Sequence, residues 1–147
     1  MRCGKHALNN ACGGEIHFSN EDLETACDTI LAESMYPDDN GMYNPERRED
    51  HVAPDGWYSE QVLAKTLQRT LRYRLGLMPL HTNVNLLTED SVVGALVNQG
   101  NAHWVALKCV EHRIWLLDSL IPPRVPSYTE YVSFVQHWRN SFPVFRL

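Results

Sequence analysis

The sequence predicts an α+β domain in which helices come first, an antiparallel sheet follows, and one helix arrives late. Three observations predict it. Apolar residues recur at helical spacing over residues 19–31 and 59–71. Residues 92–118 instead run as short apolar stretches broken at Gly100-Asn101 and Glu111-His112, the pattern of an antiparallel meander. Ser127, with Glu130 three residues on, then opens a last helical stripe. Helices segregated from such a sheet make an α+β domain.

Taken in order, residues 5–11 read as a first helix that Gly13-Gly14 ends. Ser19 with Asp22 forms a capping box with Asp in the usual Glu place, and Phe18 with Leu23 has staple spacing. Leu23, Ala26, Cys27, Ile30 and Leu31 make the apolar stripe of that second helix. Residues 33–58 hold Pro37, Gly41, Pro45, Pro54 and Gly56 among many charges. They read as a long irregular arm with a short helical piece near 46–50, the kind of excursion that forms lids and binding arms. A third helix follows Ser59, with Tyr58 and Leu63 as its staple and Val62, Leu63, Leu67 and Leu71 as its stripe.

A strand is expected over residues 72–80. Residues 92–98 fit helix or strand by periodicity; β-branched Val92, Val93 and Val97 with Gly94 favour strand. Strands at 103–110 and 113–118 complete the meander. The last helix carries Tyr128, Tyr131, Val135 and Trp138, and residues 143–147 read as a closing strand.

The 147 residues suit one domain. Hydrophobic residues at 44% supply a core, and charged residues at 21% exclude a disordered polar chain. A net charge of −5 argues against a nucleic-acid partner. No apolar stretch is long enough to span a bilayer, and no secretory leader is visible. Four dispersed cysteines, Cys3, Cys12, Cys27 and Cys109, then read as free thiols of a reducing compartment, cytoplasm or nucleus.

Cys3 opens the first helix, where the macrodipole and unpaired backbone N–H groups favour a thiolate. His103 starts a strand that leaves a tight turn, and Asp118 ends the next one. A hairpin turning at Glu111-His112 sets residue 118 opposite residue 104 or 105, one step from His103. Cysteine, histidine and carboxylate in that order are the parts of a thiol hydrolase.

The plainer readings are a buried apolar Cys3, a core His103 and a turn-starting Asp118. His6, three residues after Cys3, is expected to pack beneath the site rather than act as base, and Asn9 and Asn10 to anchor the first helix. Cys3, His6, Cys12 and His17 also have zinc-ligand spacing, but a continuous helix through Leu8 would have to break to close that set. Cys27, Cys109, Trp104, Trp115 and Trp138 are assigned to packing, as is Trp57 at the end of the arm.

The run Cys3-Gly4-Lys5-His6-Ala7-Leu8-Asn9-Asn10 closely resembles the C-x-x-H-x-L-N-N nucleophile motif of the Josephin family of deubiquitinating cysteine proteases. His103-Trp104 resembles that family's catalytic His-Trp pair, Leu117-Asp118-Ser119 its third-residue motif, and Gly56-Trp57-Tyr58-Ser59 its middle region. The motifs stand in the same order with similar spacing over nearly the whole chain.

The resemblance implies a papain-like fold and a single catalytic domain over residues 1–147, with the 33–58 arm as an insertion. It implies a substrate that is ubiquitin or a ubiquitin-like protein, cut after its C-terminal glycine. Cys3 is then the nucleophile, His103 the base and Asp118 its orienting group, with the Cys3 backbone N–H at the oxyanion. No metal or organic cofactor and no membrane is implied, and a monomer is expected.

Two departures accompany the resemblance. The family places a glutamine five residues before the cysteine to complete the oxyanion hole, whereas Met1 and Arg2 alone precede Cys3 here. A fragment of a longer protein, or a substitute among Gln61, Gln99 and Asn101, answers that departure. The 33–58 arm is also richer in Pro and Gly than the family's helical hairpin. A ubiquitin-binding module with little turnover, or another papain-like hydrolase or deamidase, are the alternative functions.

Overall fold

The computed structural model describes residues 3–147. Its α-helices are α1 (Cys3–Ala11), α2 (Asn20–Glu33), α3 (Glu60–Arg69) and α4 (Tyr128–His137). Its strands are β1 (Tyr73–Leu75), β2 (Val92–Gln99), β3 (His103–Val110), β4 (Arg113–Leu117) and β5 (Ser141–Arg146). The strands form one antiparallel sheet in the order β1-β5-β2-β3-β4. The α+β arrangement of N-terminal helices on an antiparallel sheet is therefore present, as in a papain-like fold.

The helix starts are where the caps put them. Ser19 accepts from the Asp22 N–H while Asp22 reaches back to the Ser19 N–H, and Ser127 with Glu130 repeats the reciprocal pair. Ser59 caps α3 through the Val62 N–H. Each cap satisfies backbone donors that have no partner within the helix. Asn9 anchors the connection between α1 and α2: its amide donates to the Phe18 carbonyl at 3.0 Å and its Oδ1 accepts from the Phe18 N–H at 2.6 Å.

Both faces of the sheet are covered. Cys3, Ala7, Leu8 and Ala11 of α1 pack with the stripes of α2 and α3 against Leu96, Trp104, Ala106 and Val144 on one face. Tyr131 and Val135 of α4, with Leu80 and Leu87, pack against Ala95, Val97, Val105, Leu107 and Leu116 on the other. This explains why residues 92–98 lack alternation: β2 is central and buried on both sides, so every position is apolar or enclosed.

The closing strand does not lie at the chain's end of the sheet. It inserts between β1 and β2, pairing Val97 with Ser141 and Tyr73 with Arg146.

Several expectations need correction. The strand over 72–80 is only Tyr73–Leu75, and Leu80–Thr82 and Val84–Thr88 are 3₁₀ turns. Leu71 is not on the buried stripe; it is 81% exposed with φ 60°, because it reverses the chain after α3. Tyr128 is exposed at 61% and so lies off the buried stripe of α4, which is Tyr131 and Val135. Trp115 is half-buried rather than core, as β4 is an edge strand, and Cys109, near the end of β3, is half-buried too. The 33–58 arm is irregular apart from the 3₁₀ turn Arg48–Asp50.

The arm is nonetheless well tied. Ser34 Oγ accepts from the Glu46 N–H, Arg48 pairs with Glu24 and Asp28, and buried His51 joins Ser59 to Glu46. All four cysteines are free thiols. No helix among the described residues is long and apolar enough to cross a membrane.

Candidate active site

The imidazole is positioned by two tight turns. Gly100 and Asn101 both take positive φ, and the Asn98 amide braces them, donating to Asn101 Oδ1 at 2.9 Å and accepting from the Asn101 N–H at 3.1 Å. That turn launches β3 at His103. At the other end Glu111 (φ 53°) and His112 (φ 64°) make the two-residue left-handed turn that suits hairpin twist. Val110 then pairs with Arg113 and Ala106 with Leu117. Continuing that register sets residue 118 opposite Val105, diagonal to His103 on the same face.

His103 Nε2 lies 2.8 Å from Asp118 Oδ1, with both side chains only 15% exposed. A carboxylate only accepts, so Nε2–H is the donor, and in the neutral ring Nδ1 then holds the lone pair. Asp118 Oδ1 also accepts from the Leu120 N–H at 2.9 Å, which fixes the carboxylate against its own turn. Asp118 thus starts a turn and holds the imidazole at the same time.

Cys3 is the first residue of α1 and is 3% exposed. It packs in one core cluster with Trp104, the residue after His103, whose backbone N–H acts to lower the thiol pKa. The fold thus brings the amino-terminal thiol to the strand that carries the imidazole, a hundred residues later. Gly4 lets the first turn of α1 pack closely on Leu63 and Tyr58: a Cβ there would sit 3.3–3.4 Å from them.

The helix start does not lower the Cys3 pKa, however. Burial raises the Cys3 pKa above its ordinary value and Asp55 adds to the rise. The N–H groups of Trp104, Gly4 and Cys3 pull the other way without reversing it. Desolvation of the charged form outweighs the local dipoles.

Residues 53–58 close over this point, and sequence reasoning did not single out Asp55. The Asp55 carboxylate accepts from the Trp57 N–H at 3.0 Å, and Ala53 donates to the Trp57 carbonyl at 2.8 Å. The Trp57 ring stacks on Trp104 with centroids 6.5 Å apart, and Trp104 Nε1 donates to the Tyr58 carbonyl at 2.7 Å. Trp57 Nε1 is buried and lacks a hydrogen-bond partner among the described residues. A cavity of about 550 Å³ beside this loop is lined by Glu24, Arg48, Val52, Ala53, Asp55 and Gly56. Its only sequence signal is the Asp55-Gly56 turn at the arm's end.

Other candidates fall elsewhere. His6 is exposed, not packed beneath the thiol, because α1 turns that face outward. The helix is unbroken from Cys3 to Ala11, and among the described residues no group of three His, Cys, Asp or Glu side chains is arranged to hold a metal. Of the proposed glutamine substitutes, Gln61 and Asn101 are exposed and Asn101 is engaged by Asn98, while Gln99 is half-buried. Met1 and Arg2 lie outside the described residues.

Comparison with curated proteins returns no match. Comparison with protein families does: the Josephin family model matches residues 1–141 of the 147. The match takes in the nucleophile motif, the His-Trp pair and the Leu-Asp-Ser turn together, and so the chain belongs to the Josephin family, a family of the deubiquitinase type.

Proposed function

We propose that this chain is a thiol-dependent deubiquitinase whose single catalytic domain, residues 1–147, cuts after the C-terminal glycine of ubiquitin or a ubiquitin-like protein. Cys3 is the nucleophile, His103 the general base and acid, and Asp118 the orienting group. The bond of His103 Nε2 to Asp118 at 2.8 Å carries the reading, because it leaves Nδ1 as the basic atom on the strand that meets the Cys3 thiol.

The thiol proton passes to Nδ1 and Sγ attacks the glycine carbonyl. The carbonyl electron pair moves onto oxygen, where the Cys3 N–H stabilises it. Collapse expels the amine, which takes the proton from His103, and water then hydrolyses the thioester with His103 acting again as base. The raised Cys3 pKa fits a nucleophile that hands its proton to His103 in the course of attack. The protein is read as a monomer of the cytoplasm or nucleus that needs no cofactor.

Capture by a ubiquitin bearing a C-terminal electrophile tests this. Cys3→Ala abolishes capture; robust labelling of Cys3→Ala, with loss on Cys12→Ala instead, removes the assignment. A second reading, a ubiquitin-binding module with little turnover, is favoured by the burial that raises the Cys3 thiol. Titration against ubiquitin alongside a cleavage assay separates them, and fast cleavage excludes the second.

A further inference from the structure

The nucleophile helix packs along the imidazole's strand, and at its far end a lysine ties the two together. Lys108 lies on β3, five residues after His103. Its ammonium donates to the carbonyl of Ala11, the last residue of α1, at 3.0 Å and to the carbonyl of Val93 at 2.9 Å. Helix-terminal carbonyls have no partner within the helix, and a cation there also meets the negative end of the macrodipole.

The joint is built on the neighbouring strand as well. The register of β2 against β5 shifts between Val92 and Gly94. A Cβ on Gly94 would lie 2.7 Å from the Ala11 carbonyl oxygen. Only a glycine lets the end of α1 come this close.

The spacing of the two contacts matches. From Cys3 to Ala11 a helix advances ~12 Å at 1.5 Å per residue. From Trp104, which packs with Cys3 in one core cluster, to Lys108 a strand advances ~13 Å at 3.2–3.4 Å per residue. The small side chains of Ala7 and Ala106, both fully buried, lie between. The helix is thus laid along the strand with one register fixed at its two ends.

We propose that Lys108 is a positioning residue for the Cys3–His103 pair: by holding the last carbonyl of α1 from the strand that carries His103, it sets where the thiol stands relative to the imidazole. The inference rests on the reading of Cys3 and His103 as nucleophile and base. Lys108 touches neither of them and acts through the helix. Cys12, Glu15 and Arg146 are the other titratable groups around its ammonium.

The test compares the full chain with Lys108→Met, which keeps the aliphatic stem and removes both bonds. The first readout is the pH profile of Cys3 alkylation by iodoacetamide, followed at the Cys3 peptide by mass spectrometry, with His103→Ala as reference. The parent shows a histidine-dependent limb that His103→Ala lacks. Lys108→Met loses most of that limb, whereas a merely structural lysine lowers thermal stability and leaves the limb in place. The second readout is capture by the ubiquitin electrophile. The maximal rate falls roughly tenfold or more, as expected for a reacting group displaced by a fraction of an ångström to 1 Å, with apparent affinity within about twofold.

Should Lys108→Met not fold, Gly94→Ala displaces the end of α1 from the opposite side of the joint and is expected to weaken the same limb. A folded Lys108→Met, or in its place Gly94→Ala, with the parent's profile and maximal rate overturns the proposal. A parent without the histidine-dependent limb overturns it too. A parent that shows the limb but is not captured by ubiquitin defeats the substrate reading alone, and the alkylation profile still decides on Lys108.

Discussion

Removing the Asp118 carboxylate tests the imidazole's support with a magnitude the structure sets. In Asp118→Ala the His103 Nε2–H loses its acceptor at 2.8 Å, and the Leu120 N–H loses its partner at 2.9 Å. Both His103 and Asp118 side chains are 15% exposed, so water replaces the acceptor only in part. A hydrogen bond to a charged group is worth about 1.5–3 kcal/mol. With 1.36 kcal/mol per tenfold in rate, the loss is roughly ten- to hundredfold in kcat/KM. Asp118→Asn keeps an Oδ1 that accepts from both groups and is expected to stay within about tenfold of the parent. The assay is the second-order rate of capture by the ubiquitin electrophile, or turnover of a ubiquitin C-terminal amide, at constant ionic strength. Asp118→Ala at a rate within about twofold of the parent would refute the reasoning, as would Asp118→Asn slower than Asp118→Ala.

Two further outcomes follow from buried groups. Burial pushes the Cys12 thiol up to about 12, so the folded state favours its protonated form. That contribution to stability is whole below the ordinary thiol range of ~8.5 and is lost as pH rises through about 12, at a limit of ~1.4 kcal/mol per pH unit for one proton. Cys12→Ala therefore shows a shallower alkaline decline in urea-unfolding free energy, and equal slopes would contradict it. His51, 3% exposed, joins Ser59 Oγ at 2.8 Å to Glu46 Oε2 at 3.2 Å. His51→Ala releases the arm at about 1–3 kcal/mol, so proteolysis within residues 36–53 speeds up roughly tenfold; an unchanged digestion rate would show that the clasp does not hold the arm.

What the sequence determined is what acts within a few residues. Ser19 with Asp22, Ser59 with Val62 and Ser127 with Glu130 start their helices by bonds that span one turn. The Glu111-His112 turn fixes the register that brings Asp118 to His103. These could be read directly because each partner's position follows from chain geometry alone. The length of the strand after Leu71 and the exposure of Tyr128 were harder to read, because neighbouring elements rather than propensity set them.

Tertiary structure decided the remainder. The sequence has no local signal that β5 inserts between β1 and β2, because a strand's neighbour is chosen by which apolar faces must be buried. It also has no local signal that Lys108 reaches the end of α1, or that Asp55 comes near Cys3. Even the direction of the pKa shift expected at Cys3 is reversed. The dipole at a helix start is a local property, but the burial that overrides it belongs to the folded core, in which Cys3 packs with residues far along the chain.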